Sequence, residues 1–283
     1  MGSYSSTPEP EILPPNTPEN QSPPAPRSRR GWAVAPATYT LVGINCAVYL
    51  AMVVRGASPW MPTVDQLMQW GADRPDNVLI HGEWLRIVTA MFVHVGIIHL
   101  ATNMWCLWNL GLLAEPLMGS FGLFAVYILT GAAGNLLSTA YNAYNWVWSV
   151  WPIHVYPATF YQAGAGASGA VFGIAAALIV LLKSNRLPVP ARELWRLRRS
   201  VIYFAAINLV IGFSVNFGSG FTGVEVDNSA HIGGLLCGLL FATPMVPRVG
   251  SPRGDFQIKL RLTVAMVVLT LVLFGFYVAR LAP

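Results

Sequence analysis

The chain has 283 residues, of which 54% are hydrophobic and 10% are charged, and its formal net charge is +5. A soluble globular domain carries about 25% charged residues, so this composition excludes an ordinary soluble domain and predicts an all-α polytopic membrane protein. The 17 Lys and Arg residues are divided among separate segments, which argues against a surface that binds nucleic acid.

The first part of the chain, residues 1–30, differs from the rest in composition. It is rich in proline, serine, threonine, asparagine and glutamate, and such a segment cannot bury enough apolar surface to fold. We therefore expect a disordered tail. It lacks an apolar core followed by a small-residue cleavage site, so we expect no signal peptide, and the first membrane helix should direct insertion itself.

Seven apolar segments approach the roughly 20 residues that cross a bilayer core. They are 38–54, 92–113, 121–140, 168–183, 200–217, 229–247 and 259–280. The fourth segment is short and begins at Ser168, which suggests that this end lies below the membrane surface.

The distribution of Lys and Arg predicts the orientation of these segments. With the N-terminus in the cytoplasm and the C-terminus outside, 13 of the 17 basic residues lie on the inner side. This pattern fits a bacterial plasma membrane. The second, fourth and sixth segments then run inward, and their polar residues all fall in the outer half of the membrane. Those residues are His94, His99, Asn103, Ser168 and His231.

Ser168 lies in the motif Gly166-Ala167-Ser168-Gly169 at the start of the fourth segment. The glycines allow a tight turn and the close approach of another helix. Free backbone amides at a helix N-terminus can also stabilise an oxyanion. Ser168 is therefore a candidate nucleophile, and the alternative is a helix cap or a small packing residue.

His231 lies in the motif Ala230-His231-Ile232-Gly233-Gly234 at the start of the sixth segment. Gly234 and Gly238 provide a second face for close helix approach. A neutral histidine at the depth of Ser168 can take the serine proton and return it to a leaving amine. The alternative for His231 is a buried histidine bonded to a backbone carbonyl.

Other polar residues could complete such a site. His99 and Asn103 are four residues apart and share one helix face, where both can donate hydrogen bonds to an oxyanion; the alternative is hydrogen bonding between helices. His94 is expected to point elsewhere on the helix. Asp227, four residues before His231, is better explained as a helix cap than as a third catalytic residue.

Together these motifs resemble those of the rhomboid intramembrane serine proteases. The matching stretches are 82–86, 89–94, His99 with Asn103, Glu115, 166–169 and 226–234. The resemblance covers residues 38 to about 247. It implies a six-helix bundle with a Ser–His dyad and no acidic third member. It also implies an oxyanion site made of His99, Asn103 and the Ser168 backbone, with His94 as a supporting residue.

The resemblance also implies a domain organisation. A tail over 1–30 precedes a rhomboid-like core over 31–250, and 251–283 forms a linker and one extra C-terminal membrane helix. Residues 55–91 would be a loop partly sunk in the outer leaflet. Where the family often has tyrosine, this chain has Phe172, which keeps the ring and loses the hydroxyl. The aromatic loop 141–166 would lie in the interface or contact substrate.

The function that follows is cleavage of transmembrane or juxtamembrane segments of membrane-protein substrates by Ser168 and His231. Gly166, Phe172 and Gly234 would support the site. The lipid bilayer is the other predicted partner, no cofactor or metal ion is expected, and the oligomeric state is left open. One alternative is a transporter or scaffold. Another is an intramembrane metalloprotease, although the histidines lack its His-Glu-x-x-His spacing.

Overall fold

A computed structural model describes residues 35–149, 163–217, 227–249 and 251–281. These residues form helices joined by short turns, with one isolated β-bridge between Asp73 and Gly164. The predicted tail 1–30 lies outside the described residues, as do residues 150–162 of the predicted aromatic loop 141–166. Residues 141–149 of that loop are helical, so this part of the loop prediction is wrong. The prediction of an all-α membrane protein is confirmed.

The helices are numbered here in chain order. They are α1 (Pro36–Val54), α2 (Val64–Gln69), α3 (Pro75–Leu79), α4 (Arg86–Thr89), α5 (Ile97–Ser149), α6 (Ser168–Leu181), α7 (Ala191–Phe217), α8 (Asn228–Ala242) and α9 (Arg253–Ala279). Two 3-10 turns cover Ala90–Phe92 and Thr243–Arg248. In the described chain, four stretches are long and apolar enough to cross a membrane, and they are α1, 97–144, 228–248 and α9. Helix α6 is a shorter apolar helix.

Helix α5 contains two of the predicted membrane segments. Its backbone breaks at Gly119, where φ is 73° and ψ is 167°, so residues 97–118 and 120–149 are separate helices. The carboxylate of Glu115 lies beside this break and accepts hydrogen bonds from the backbone amides of Ala37 (2.9 Å) and Thr38 (2.8 Å). It also accepts from the hydroxyls of Thr38 (2.8 Å) and Ser120 (2.7 Å). Glu115 therefore ties the start of α1 to the break.

Several helix boundaries differ from the predicted segments. The second segment becomes helical at Ile97 rather than at 92, because a 3-10 turn and Gly96, with φ of 98°, precede it. Helices α7 and α9 begin at Ala191 and Arg253, earlier than 200 and 259. Helix α8 gives way to a 3-10 turn after Ala242, where Pro244 and Pro247 interrupt the α-helical pattern.

Helix α6 occupies the centre of the bundle. Of its 14 residues, 12 are buried, and α5 and α8 pack along it. Loop 55–91 packs over the end of the bundle near Ser168, where Arg86 Nη1 donates to the carbonyls of Met68 (2.8 Å) and Ala72 (2.9 Å). The bridge between Asp73 and Gly164 connects this loop to the strand-like segment that leads into α6.

Candidate active site

The turn before α6, which leads to Ser168, lies against the start of α5. Gly166 has φ of 134°, a conformation that L side chains rarely adopt, and a Cβ there would lie 2.6 Å from His99 Cε1. Its amide donates to the carbonyl of Ala90 at 3.0 Å. The N-cap of α6 is Ala167, so Ser168 is the first helical residue and not the cap. Ser168 is half-buried at the helix N-terminus, beside amides that lack helical partners.

Small residues bring α8 into backbone contact with α6. A Cβ on Gly234 would overlap the carbonyl oxygen of Gly169, and a Cβ on Gly238 would overlap that of Gly173. The two pairs are one helical turn apart, so the backbones touch at two successive turns of α6, at Gly169 and at Gly173. The predicted close approach of these two glycine faces is confirmed.

His231 lies in the first turn of α8 and is 7% exposed. Its ring stacks on Phe172, with ring centroids 4.4 Å apart and an angle of 22° between the planes. Phe172 follows Ser168 by one turn of α6. Within the described chain, His231 Nδ1 is buried without a hydrogen-bond partner, and its ring forms no hydrogen bond with Ser168.

His99 and Asn103 lie one turn apart at the start of α5. Asn103 Nδ2 donates to the His99 carbonyl at 3.0 Å, which leaves its second amide proton available. His94 was expected to point away from His99, and that prediction is wrong. His94 precedes the helix, and its ring centroid lies 5.4 Å from that of His99. Its Nε2 accepts a hydrogen bond from the Ala167 amide at 3.4 Å.

Asp227 caps the helix that carries His231. Its carboxylate accepts a hydrogen bond from the Ala230 amide at 2.9 Å, and its own carbonyl accepts one from the His231 amide at 3.2 Å. The prediction that Asp227 acts as a helix cap is confirmed.

Asp73 is a buried carboxyl group that the sequence reasoning missed. Its backbone exchanges hydrogen bonds with Gly164 at 2.8 and 2.7 Å, and Thr139 Oγ1 donates to its carboxyl at 3.3 Å. A Cβ on Gly164 would lie 3.9 Å from both Asp73 Cβ and Asp227 Oδ2. Burial, and then the charge of Asp227, raises the pKa of Asp73 to about 7. No local motif marks Asp73, because its neighbours come from distant parts of the chain.

The helical fold and the arrangement of the candidate site agree with a match to a known protein family. Residues 81–248 match the rhomboid domain. The chain belongs to the rhomboid family of intramembrane serine proteases. The resemblance drawn from the motifs is therefore confirmed, and the rhomboid domain contains His94, His99, Asn103, Ser168 and His231.

Named rhomboid relatives come from distant organisms. The chain is 33% identical over 215 residues to rhomboid protease AarA of Providencia stuartii, covering 72% of this chain and 70% of that protein. It is 28% identical over 215 residues to rhomboid protease GluP of Bacillus subtilis (strain 168), covering 76% of this chain and 36% of the Bacillus protein. Rhomboid-like protease 2 of Toxoplasma gondii is 29% identical over 201 residues, covering 69% of this chain and 60% of the Toxoplasma protein. This rhomboid therefore spans about a third of the Bacillus relative.

Proposed function

We propose that this rhomboid protein is a serine endopeptidase that cleaves transmembrane or juxtamembrane segments of other membrane proteins. The observation that carries the proposal is the contact between α6 and α8. It sets Phe172, one turn after Ser168, against the buried ring of His231 at 4.4 Å. Acyl transfer requires a nucleophile and a base within hydrogen-bond reach, and the backbone contact between α6 and α8 can bring Ser168 and His231 that close.

The proposed reaction has two stages. Ser168 Oγ bonds to the scissile carbonyl carbon while its proton moves to His231, and the C–N bond breaks as His231 returns that proton to the leaving amine. Water then attacks the acyl-enzyme ester and loses a proton to His231. The ester bond to Ser168 Oγ breaks, and the serine recovers its proton from His231.

The proposed oxyanion site consists of the His99 ring, the free amide proton of Asn103 and the Ser168 backbone amide. Its support is the close fit between Gly166 and the His99 ring, where a Cβ would lie 2.6 Å from Cε1. The Ser168 amide belongs to the first turn of α6, where the helix dipole favours negative charge. His94 is proposed to hold the Ala167 amide and so to fix the turn before Ser168.

A dyad without a carboxylate is supported by two contacts. Asp227 already accepts the Ala230 amide at 2.9 Å as a helix cap. Phe172 lies flat against His231, so packing can orient the imidazole where a triad would use a carboxylate. His231 then acts as a neutral base.

The depth of the proposed site follows from helix length. Helix α6 has 14 residues, about 21 Å at 1.5 Å per residue, whereas a bilayer core is about 30 Å thick. Ser168 at its start therefore lies below the membrane surface. The resemblance to the rhomboid family further suggests small substrate residues at the cleaved position.

The chain is an integral multi-pass membrane protein. We place the N-terminus in the cytoplasm and the C-terminus outside, in a bacterial plasma membrane, from the bias of Lys and Arg. The test uses a variant in which Cys46, Cys106 and Cys237 are replaced by alanine. In intact cells, a membrane-impermeant maleimide should label Arg280→Cys but not Arg192→Cys, and the reverse pattern would invert the topology.

A fluorophosphonate probe tests the mechanism without a known substrate. The purified protein in mild detergent should be labelled, whereas Ser168→Ala and His231→Ala should not. Ser200→Ala is the matched control, because Ser200 is exposed on α7 and its hydroxyl donates to the carbonyl of Arg196 at 3.1 Å. If the folded parent is not labelled in detergent or in liposomes, the transporter or scaffold alternative replaces the protease.

A further inference from the structure

A second site lies where the break in α5 meets the start of α9. A cavity of about 680 Å³ opens there between Ser120, Phe121, Arg253, Phe256, Leu260 and Arg261. Its size falls within the range of small-molecule and lipid sites. Neither the proposed proteolysis nor any sequence motif accounts for it.

The cavity is on the membrane face opposite the candidate active site. Helix α8 begins beside Ser168 and runs to Ala242, and the turn Thr243–Arg248 then leads to α9. The 15 residues of α8 alone correspond to about 22 Å. A substitution of a residue that lines the cavity therefore replaces no side chain near Ser168.

One stripe of α9 forms a wall of the cavity. Arg253, Phe256, Gln257, Leu260 and Arg261 all line it, and their spacing of three or four residues places them on the same helix face. The stripe has a guanidinium at each end, with the apolar side chains of Phe256 and Leu260 and the amide of Gln257 between them. Phe121 and the residues before the break supply an apolar wall on the α5 side.

Among the described residues, neither guanidinium group forms an ion pair. In the described chain, ion pairs join Arg74 to Asp76 and Arg86 to Glu83, and neither Arg253 nor Arg261 takes part in one. The two arginines are exposed, and the hydrogen bonds of the described residues do not involve their side chains. Glu115, close to the break in α5, is already bonded to α1 and Ser120.

We propose that this cavity binds an anionic phospholipid, with its anionic headgroup at Arg253 and Arg261 and its acyl chains against Phe121 and Phe256. A guanidinium matches the geometry of phosphate oxygens, and basic pockets between membrane helices suit anionic headgroups. The apolar walls distinguish a lipid from a free anion, which would gain nothing from them. The bound lipid would hold α9 against α5.

The test measures lipid binding to the full-length protein and uses no protease assay. In dodecylmaltoside, dioleoylphosphatidylglycerol should raise the Tm, and dioleoylphosphatidylcholine should raise it much less. In Arg253→Ala/Arg261→Ala, the half-saturating concentration of phosphatidylglycerol should rise at least tenfold. Arg280→Ala is the matched control, because Arg280 is an exposed arginine at the other end of α9, and it should behave as the parent.

A second variant keeps the test decisive if the double variant does not fold. Phe121→Ala changes no charge at an exposed side chain and should also weaken phosphatidylglycerol binding. Glycerol phosphate alone should leave the Tm unchanged. Equal shifts with both lipids, an equal shift with glycerol phosphate, or an unchanged response in the two variants would each overturn the proposal.

Discussion

The ring of Phe172 lies flat against the ring of His231, with centroids 4.4 Å apart. This contact joins α6 to α8 at the turn that follows Ser168. It is a packing contact, so it can fix the plane of the imidazole without adding a charge. The orientation of the proposed base therefore depends on an aromatic ring.

Replacing Phe172 tests that dependence. Phe172→Leu should lower kcat by about two- to tenfold, because a stacked aromatic pair contributes about 0.5–1.5 kcal/mol, while Phe172→Tyr should keep most activity. The measurement is turnover of a transmembrane peptide substrate. Phe274→Leu is the control, since Phe274 stacks on Tyr277 in α9 at 6.3 Å. Equal losses in Phe172→Leu and Phe274→Leu would indicate a general packing defect.

The helix contact makes Gly234 intolerant of any side chain. Gly234→Ala should destabilise the protein by about 1–3 kcal/mol, because the new methyl group would overlap the Gly169 carbonyl and the helices would have to separate. Thermal unfolding in detergent measures the loss. Gly275→Ala on α9 is the control, as open space surrounds that position. An unchanged Tm for Gly234→Ala would contradict the close contact.

Asn103 offers a separate test of the oxyanion site. Asn103→Ala should lower kcat on the order of tenfold to a thousandfold, the usual cost of losing an oxyanion donor, with a small change in Tm. Asn109→Ala is a close match, because Asn109 Nδ2 donates to the Trp105 carbonyl at 2.7 Å in the same helix and is exposed. If both variants keep full turnover, Asn103 has no role in the oxyanion site.

The raised pKa of Asp73 predicts how the stability of the folded protein depends on pH. Burial first, and the Asp227 charge second, raise the pKa of Asp73 to about 7 in the folded protein, above the unfolded value of about 3.9. The folded state therefore binds the proton more tightly, and its stability falls as pH rises from about 4 to about 7. The Tm should decrease between pH 5 and pH 8.

The contribution of Asp73 can be separated from other groups. Asp73→Asn should flatten the fall in Tm, because the amide keeps the contact with Thr139 and cannot ionise. Asp65→Asn, at an exposed position of α2 in the same loop, should retain the full pH dependence. A parallel response of parent and Asp73→Asn would remove Asp73 as the titrating group.

The sequence predicted the features that depend on local patterns. Apolar length located five of the seven predicted membrane segments, in α1, the two parts of α5, 228–248 and α9, whereas α6 is shorter and the described α7 is not among the helices apolar enough to span a membrane. Glycine spacing located the faces of α6 and α8 that meet. His94 was misplaced because its direction was worked out on a continuous helix, whereas the chain becomes helical only at Ile97. Asp73 could not be found, since its partners Gly164, Thr139 and Asp227 are brought to it only by folding.

The hydrogen bonds of Glu115 have a consequence for the order of assembly. The start of α1 is held through Ala37 and Thr38, and the same carboxylate is held by Ser120. Because α1 is synthesised before α5, its anchor is complete only when residue 120 has left the ribosome. The docking of α1 in the bundle therefore depends on a part of the chain that is made later, the helices of 97–149.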